Sequence, residues 1–129
     1  MDAVDTNLVV RLVTDDDPAQ SRRARVVFAA KSVFVAKTVL LESEWVLRYS
    51  YGLDRDAIAR ALRAVLGLPN VVAERDDQLA RAMTWYESGL DFADALHLAS
   101  GDATQRFHTF DRQLAKRGRS LGGPDVVAA

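Results

Sequence analysis

The side chains placed to do chemistry in this sequence are carboxylates: Asp5, Glu42, Asp91, Asp94 and Asp111. Asp5 follows a β-like run and precedes "TNLVVRLV". Asp111 follows "FHTF" and precedes "RQLAKR". Asp91 and Asp94 stand where the apolar helix of "LDFADALHLAS" begins. Each alone reads as a helix cap, because an aspartate at a helix start accepts from the free N–H groups of the first turn. In that reading Asp91 is the N-cap and Asp94 sits at the third position, favoured by the helix dipole. Glu42 is different. On a helical wheel "TVLLESEWVLRY" places it inside an apolar arc with Val39, Trp45, Val46 and Tyr49. Glu44 falls on the opposite side, with Arg48 four residues later, an ordinary surface pair. A carboxylate on a buried face must be protonated, paired or bound to a cation. No lysine or arginine in its own helix is placed to pair with Glu42, which leaves a protonated or rim-exposed glutamate as the plain alternative.

Taken together, Asp5, Glu42, Asp94 and Asp111 would repel one another if the fold brought them to one place, and at least one would hold its proton more tightly. A divalent cation removes the conflict. With no cysteine and only two histidines, His97 and His108, the donor set is oxygen, which selects Mg²⁺ or Mn²⁺ over zinc. Such a cation can activate a water against a phosphodiester and neutralise the charge that builds on the phosphate oxygens.

The elements that must position these acids alternate. A short strand is expected at Ala3 to Asp5, and a helix in "DPAQSRRARVVFAAK" with Asp17 as cap and Pro18 in the first turn. A strand at Ser32 to Ala36 precedes a long helix from about Thr38 to Tyr49. Gly52 breaks that helix and Asp54 caps the next, "RDAIARALRAVLG". A third strand is expected at Asn70 to Glu74, then a helix from Asp76 or Asp77 that ends at Gly89. The apolar helix runs from about Phe92 to Ala103, "RFHTF" is a fourth strand, Asp111 starts a short helix, and Val126–Val127 form a last edge strand. Strands alternating with helices predict an α/β sandwich around a parallel sheet, with ligands at the carboxyl ends of the strands.

Composition limits the function classes. A chain of 129 residues that is 49% hydrophobic fits one domain with its own core. Without cysteine it has no disulfide, zinc–thiolate site or thiol nucleophile. A net charge of -1 excludes a polycation that coats nucleic acid, so any such binding needs a local patch. The opening "MDAVDTN" has no basic or apolar leader region, and no apolar run approaches a bilayer span, so the expectation is a soluble, cytoplasmic protein.

Four stretches carry a resemblance: "VDTN" at Val4–Asn7, "VLLESEWVLR" at Val39–Arg48, "LDFADALHLA" at Leu90–Ala99 and "HTFDRQL" at His108–Leu114. In this order and spacing the chain resembles the PIN-domain ribonucleases, and among them the VapC-like toxins of bacterial toxin–antitoxin pairs. The resemblance implies a single PIN domain over residues 1–129, a three-layer α/β/α sandwich around a short parallel sheet. It implies a Mg²⁺- or Mn²⁺-dependent endoribonuclease whose acidic positions are Asp5, Glu42, Asp94 and Asp111, with Asp5 and Asp94 as the direct metal ligands. Asn7 and Thr109 match the small polar positions beside the first and last acids and would orient a carboxylate or a water. Asp91 is then a cap or support for Asp94. The resemblance also implies an RNA substrate, a cognate antitoxin that inhibits the chain, and a homodimer.

The remaining features have plain readings. His97, three residues after Asp94, reads as a satisfied histidine before a ligand, and His108 has no assigned role. Trp45, Trp85 and Tyr86 could stack on bases but sit at helical apolar spacing, which favours core or dimer interface. Arg112, Lys116, Arg117 and Arg119 follow Asp111 and are expected to contact an RNA backbone, with "SRRAR" (Arg22, Arg23, Arg25) as a solvated face. Two competing functions are a PIN-like module that binds RNA or a partner without cutting, and a phosphoacceptor domain suggested by the run Asp15–Asp17.

Overall fold

The structure is a computed structural model that describes residues 1–129. Its chain contacts divide it into two compact units, Met1–Asp76 and Asp77–Ala129. The first unit holds β1 (Asp2–Ala3), α1 (Thr6–Thr14), α2 (Pro18–Ala30), β2 (Val33–Val35), α3 (Lys37–Tyr49), α4 (Arg55–Leu66) and β3 (Val71–Ala73). The second holds α5 (Asp76–Glu87, which starts at the boundary), α6 (Phe92–Ser100), β4 (Arg106–Thr109), α7 (Arg112–Gly118) and β5 (Asp125–Ala128). The strands are parallel, and the expected α/β class holds. The first four are shorter than the sequence suggests, because only two to four residues of each β-like run find a partner, while β5 extends one residue beyond Val126–Val127 at each end.

In the first unit the sheet order is β1-β2-β3, with Asp2 opposite Val33 and Val33 opposite Val71. Parallel strands need crossovers, and the helices supply them. The central strand β2 buries Val33 and Val35 on one face and partly buries Phe34 on the other. Val9, Val10, Phe28, Leu40, Leu47, Ile58 and Leu62 fill the helical side of this core.

Helix starts follow the sequence closely. Asp17 accepts from Gln20 N at 3.1 Å with Pro18 at the first helical position, and Asp54 accepts from Ala57 N at 2.8 Å. Helix α3 has Ala36 at its N-cap and no cap of its own. Glu74, just past β3, reaches across and accepts from Lys37 N at 2.9 Å, while its own N–H donates to Val35 O. One residue thereby fixes the ends of two strands and the start of a helix.

Helix α3 corrects one expectation. Its buried face is Leu40, Ser43, Glu44 and Leu47. Glu42 is exposed, and Glu44 is 2% exposed. The helix carries apolar residues on two sides. The side with Trp45 and Tyr49 faces outward, 53% and 62% exposed, with Arg48 4.5 Å from the Tyr49 ring centroid. Glu44 tolerates burial because Arg48 forks onto it, Nε to Oε2 at 2.8 Å and Nη2 to Oε1 at 3.1 Å.

In the second unit β4 and β5 pair in parallel from Arg106 opposite Asp125 to Thr109 opposite Ala128. Trp85, Tyr86, Phe92, Leu98 and Val126 are buried, and Tyr86 meets Phe92 edge to face at 5.0 Å. The core reading of Trp85 and Tyr86 holds; Trp45 is the exception. Gly89 ends α5 with φ +114. A Cβ on Gly118 would overlap the Val126 side chain, so α7 lies directly on β5. Helix α6 stops at Ser100 instead of Ala103, because Gly101 N closes back onto the His97 and Leu98 carbonyls.

Glu44→Ala is expected to destabilise the protein by ~2–3 kcal/mol in urea denaturation, less than a fully buried pair because Arg48 is partly solvated. Glu42→Gln is expected to change stability by no more than about 0.5 kcal/mol. The reverse order would restore Glu42 to the buried face.

Candidate functional site

Asp5 stands at the carboxyl end of β1, in the N-cap position of α1, with extended backbone (φ −97, ψ −179). It caps nothing: no helix N–H bonds to its carboxylate. The cap reading fails at this residue, and an exposed aspartate is left uncommitted at the end of a strand. The next residue, Thr6, is buried, and its hydroxyl donates a short hydrogen bond to Glu42 Oε1. Helix α3 thus presents Glu42 beside the turn that carries Asp5. Thr6 was missed in the sequence; it lies inside "VDTN", but which hydroxyl there meets the glutamate depends on how α1 packs against α3. Asn7 does not hold Glu42. With Asp5, Arg11, Gln20 and Arg23 it lines an open groove of about 380 Å³ between α1 and α2.

The second unit carries the other acids. Asp91 is the N-cap of α6 and accepts from Asp94 N at 3.3 Å. Asp94, one turn in, is half-buried and accepts no hydrogen bond. Its carboxyl is held above the ordinary value of 3.8, first by burial, then by the charges of Asp91 and Asp111, with His97 opposing. Asp111 sits beyond the carboxyl end of β4. Its Oδ1 caps α7, accepting from Gln113 N at 2.9 Å and Leu114 N at 3.1 Å, and its Oδ2 bonds to neither. The Asp111 N–H donates to Thr109 Oγ1 at 3.0 Å, so Thr109 shapes the turn that delivers this carboxylate.

The sequence-predicted residues therefore fall into two groups, Asp5 with Glu42 in the first unit and Asp91, Asp94 and Asp111 in the second. In neither unit do three Asp, Glu or His side chains gather closely enough to hold a metal ion. Each unit offers oxygen donors of the kind a hard cation takes: Asp5 in the first, which caps nothing, and in the second Asp94, which accepts no hydrogen bond, and the Asp111 oxygen that does not cap α7. Among the basic residues, Arg112 and Lys116 are exposed on α7. Arg117 has a structural duty, donating to Gly89 O at 3.1 Å and Ser88 O at 3.4 Å where α5 ends.

The run that suggested a phosphoacceptor is committed elsewhere. Asp15 adopts φ +56 after α1 and pairs with Arg25 at 3.4 Å. Asp16 is held below the usual carboxyl range by hydrogen bonds from Tyr51 and Thr14 and by the Arg11 charge. Asp17 caps α2.

A family model described as "PIN domain" matches residues 3–119. The chain belongs to the PIN-domain family. No curated protein matches it significantly. Among solved structures it is similar to a Mycobacterium tuberculosis protein, VapC20, described as a Sarcin-Ricin loop cleaving toxin. That match has 24% identity and a TM-score of 0.46, over 96% of this chain and 100% of the other. No helix of this PIN domain chain is long and apolar enough to cross a membrane.

The raised Asp94 carboxyl sets a pH test. Its proton is favoured in the folded state, so ionising it costs folding stability. The cost is absent below the unfolded value of 3.8 and is complete once pH has passed the raised folded value. Asp94→Asn removes the cost. At neutral pH without divalent ions the variant is expected to melt above the wild type, with the gap closing as pH falls toward the unfolded value. An equal gap at every pH would mean the charge on Asp94 carries no strain.

Proposed function

We propose that residues 1–129 act as one PIN domain with metal-dependent endoribonuclease activity, the toxin of a toxin–antitoxin pair. The observation that carries the chemistry is Asp94: a half-buried carboxylate with no hydrogen-bond donor, pressed by Asp91 and Asp111. A chain that keeps such a charge unrelieved suits a cation ligand better than a structural acid. The resemblance of "VDTN", "VLLESEWVLR", "LDFADALHLA" and "HTFDRQL" to VapC-like toxins supports the biological role.

In this reading Asp5 and Asp94 hold Mg²⁺ or Mn²⁺, with Glu42 and Asp111 in support. When bound, the cation supplies Lewis acidity: it draws charge from the phosphate oxygens and makes water a better nucleophile near neutral pH. The protein's own work is orientation. Thr6 fixes one oxygen of Glu42 and leaves the other to accept a proton from the attacking water. Thr109 sets the turn at Asp111, whose Oδ2 faces no backbone donor. Asp91 keeps the first turn of α6 intact beneath Asp94. Asn7, next to Asp5, orients a water or a carboxylate. Arg112, Lys116 and Arg117 meet the RNA backbone. A cognate antitoxin and a homodimer complete the partners, both implied by the toxin resemblance.

Purified protein is expected to cleave RNA with Mg²⁺ or Mn²⁺ and not with chelator. Asp5→Asn and Asp94→Asn should each lower the rate by roughly 100-fold or more, the scale on which loss of a charge-stabilising group acts. Cleavage that survives both substitutions would remove the carboxylates from the chemistry. Divalent ions should also raise the wild-type melting temperature.

The basic residues separate by readout. Arg112→Ala and Lys116→Ala should each reduce the salt dependence of RNA binding by about one charge and leave melting unchanged. Arg117→Ala should also lower the melting temperature, because it frees two carbonyls at the end of α5. Loss of melting temperature at Arg112 instead would reverse these roles.

A further inference from the structure

The groove of about 380 Å³ between α1 and α2 begins at Asp5, and each helix gives it one stripe of side chains. Asn7, Leu8 and Arg11 lie along one side of α1. Gln20, Arg23, Ala24 and Val27 recur on α2 at the three- and four-residue spacing of a single helix face. The walls are braced against each other. Arg11 Nε donates to Gln20 Oε1 at 2.7 Å, and the Ser21 hydroxyl donates to Arg11 O at 2.8 Å. Arg11 Nη1 donates to Asp16 Oδ1 at 2.8 Å and to the Tyr51 hydroxyl at 2.9 Å, so its charge is already balanced. Arg23 differs: it is exposed and belongs to no ion pair. Arg22, its neighbour in sequence, lies outside the groove, and Arg25 pairs with Asp15 at 3.4 Å. The three arginines of "SRRAR" are therefore not one solvated face.

The lining indicates the occupant. Leu8, Ala24 and Val27 make an apolar floor, with Ala24 2% exposed and the other two half-buried. Asn7 and the nitrogen of the Gln20 amide can donate above it. The volume falls within the roughly 300–1,000 Å³ of small-ligand sites. Charge then separates the possible ligands. An acidic peptide would suit Arg23 and meet Asp5 as a like charge, and a basic one would do the reverse. A phosphodiester strand satisfies both ends, meeting Asp5 through the cation of the proposed site and Arg23 directly, as guanidinium groups meet phosphate elsewhere. Its sugar and base then cover the floor and face the amides. We propose that the α1–α2 groove is a nucleotide subsite continuous with Asp5, in which Arg23 holds the phosphate next to the one that is cut. The inference rests on the nuclease reading above and adds the path of the strand away from Asp5.

The test is calorimetric binding by the full chain with Ca²⁺ in place of Mg²⁺. The probe is an RNA dinucleotide with a terminal phosphate, so that one phosphate is available to each end of the groove, and inorganic phosphate is the control. Arg23→Ala is expected to weaken dinucleotide binding by ~10-fold, the scale of one charge-assisted hydrogen bond, and to leave the melting temperature unchanged. Arg22→Ala, which removes the same charge one residue away, should leave binding unchanged. Val27→Phe, which fills the floor, should weaken the dinucleotide and spare inorganic phosphate; if it fails to fold, the Arg22 and Arg23 pair decides alone. Equal dinucleotide binding by Arg23→Ala and wild type overturns the inference, as do equal losses at Arg22 and Arg23, which would mean a diffuse charge effect. Inorganic phosphate that binds as tightly as the dinucleotide reduces the groove to an anion contact and overturns it too. If Arg23→Ala instead separates a dimer and leaves dinucleotide binding unchanged, the groove belongs to a protein interface and the inference falls. The two readings fail separately. Metal-dependent cleavage abolished by Asp5→Asn, with dinucleotide binding unchanged in Arg23→Ala, removes the subsite and keeps the nuclease. Dinucleotide binding that needs Arg23, beside cleavage that persists in Asp5→Asn, removes the nuclease site alone.

Discussion

The first-turn N–H groups of every helix need acceptors, and in this chain that demand is met largely by carboxylates. An aspartate at a helix start can commit its oxygens to those N–H groups or keep them for something else, and the chain divides its acids between the two uses. Asp17, Asp54 and Asp91 cap. Asp5 occupies a cap position and does not cap; Asp111 caps with one oxygen. Glu74 serves α3 from another strand, because Ala36 has no side chain for the task. The pattern matters for function because the acids left over are the ones available to a cation. Asp94 shows the electrostatic side of the same constraint. The N–H it could have used is its own, already donated to Asp91, and its carboxylate receives nothing in exchange.

Much of this was legible in the sequence, because capping is local. Asp17-Pro18, Asp54, Asp91 and Gly89 mark boundaries that the structure keeps, since a few consecutive residues decide each of them. The α/β class followed from alternation and stands with the family assignment. What failed was direction around a helix. Val39, Leu40, Leu41, Trp45, Val46, Leu47 and Tyr49 surround α3 almost completely, so its wheel had no single apolar face. Burial then depended on which side met α1 and α4, and on Arg48 being long enough to follow Glu44 inward. The same limit hid Thr6, whose contact with Glu42 crosses 36 residues of chain. The carboxyl ends of the first four strands were overextended because β propensity continues past the residues that find a partner.

Arg117 shows why a run of basic residues is a poor guide to a binding face. Arg112, Lys116 and Arg117 look equivalent in "DRQLAKRGR", yet only Arg112 and Lys116 share a face of α7, four residues apart. Arg117 turns back to the carbonyls of Ser88 and Gly89. A guanidinium can carry several hydrogen bonds at once, so a structural duty and an electrostatic one are compatible in one residue. Separating them takes a stability readout beside a binding readout.

The divided carboxylate of Asp111 has a consequence for how this chain can drift over evolutionary time. Oδ1 holds the start of α7, and Oδ2 is the oxygen left for a cation. Asparagine, serine or threonine can cap a helix nearly as well as aspartate, but none carries the charge. A lineage could exchange Asp111 for any of the three and keep its fold. Selection on folding therefore guards the helix cap and is blind to the second oxygen. In the reading proposed above, one such exchange would keep the helix cap and remove the carboxylate, and because the Asp111 charge also presses on Asp94 its loss would ease the fold rather than weaken it.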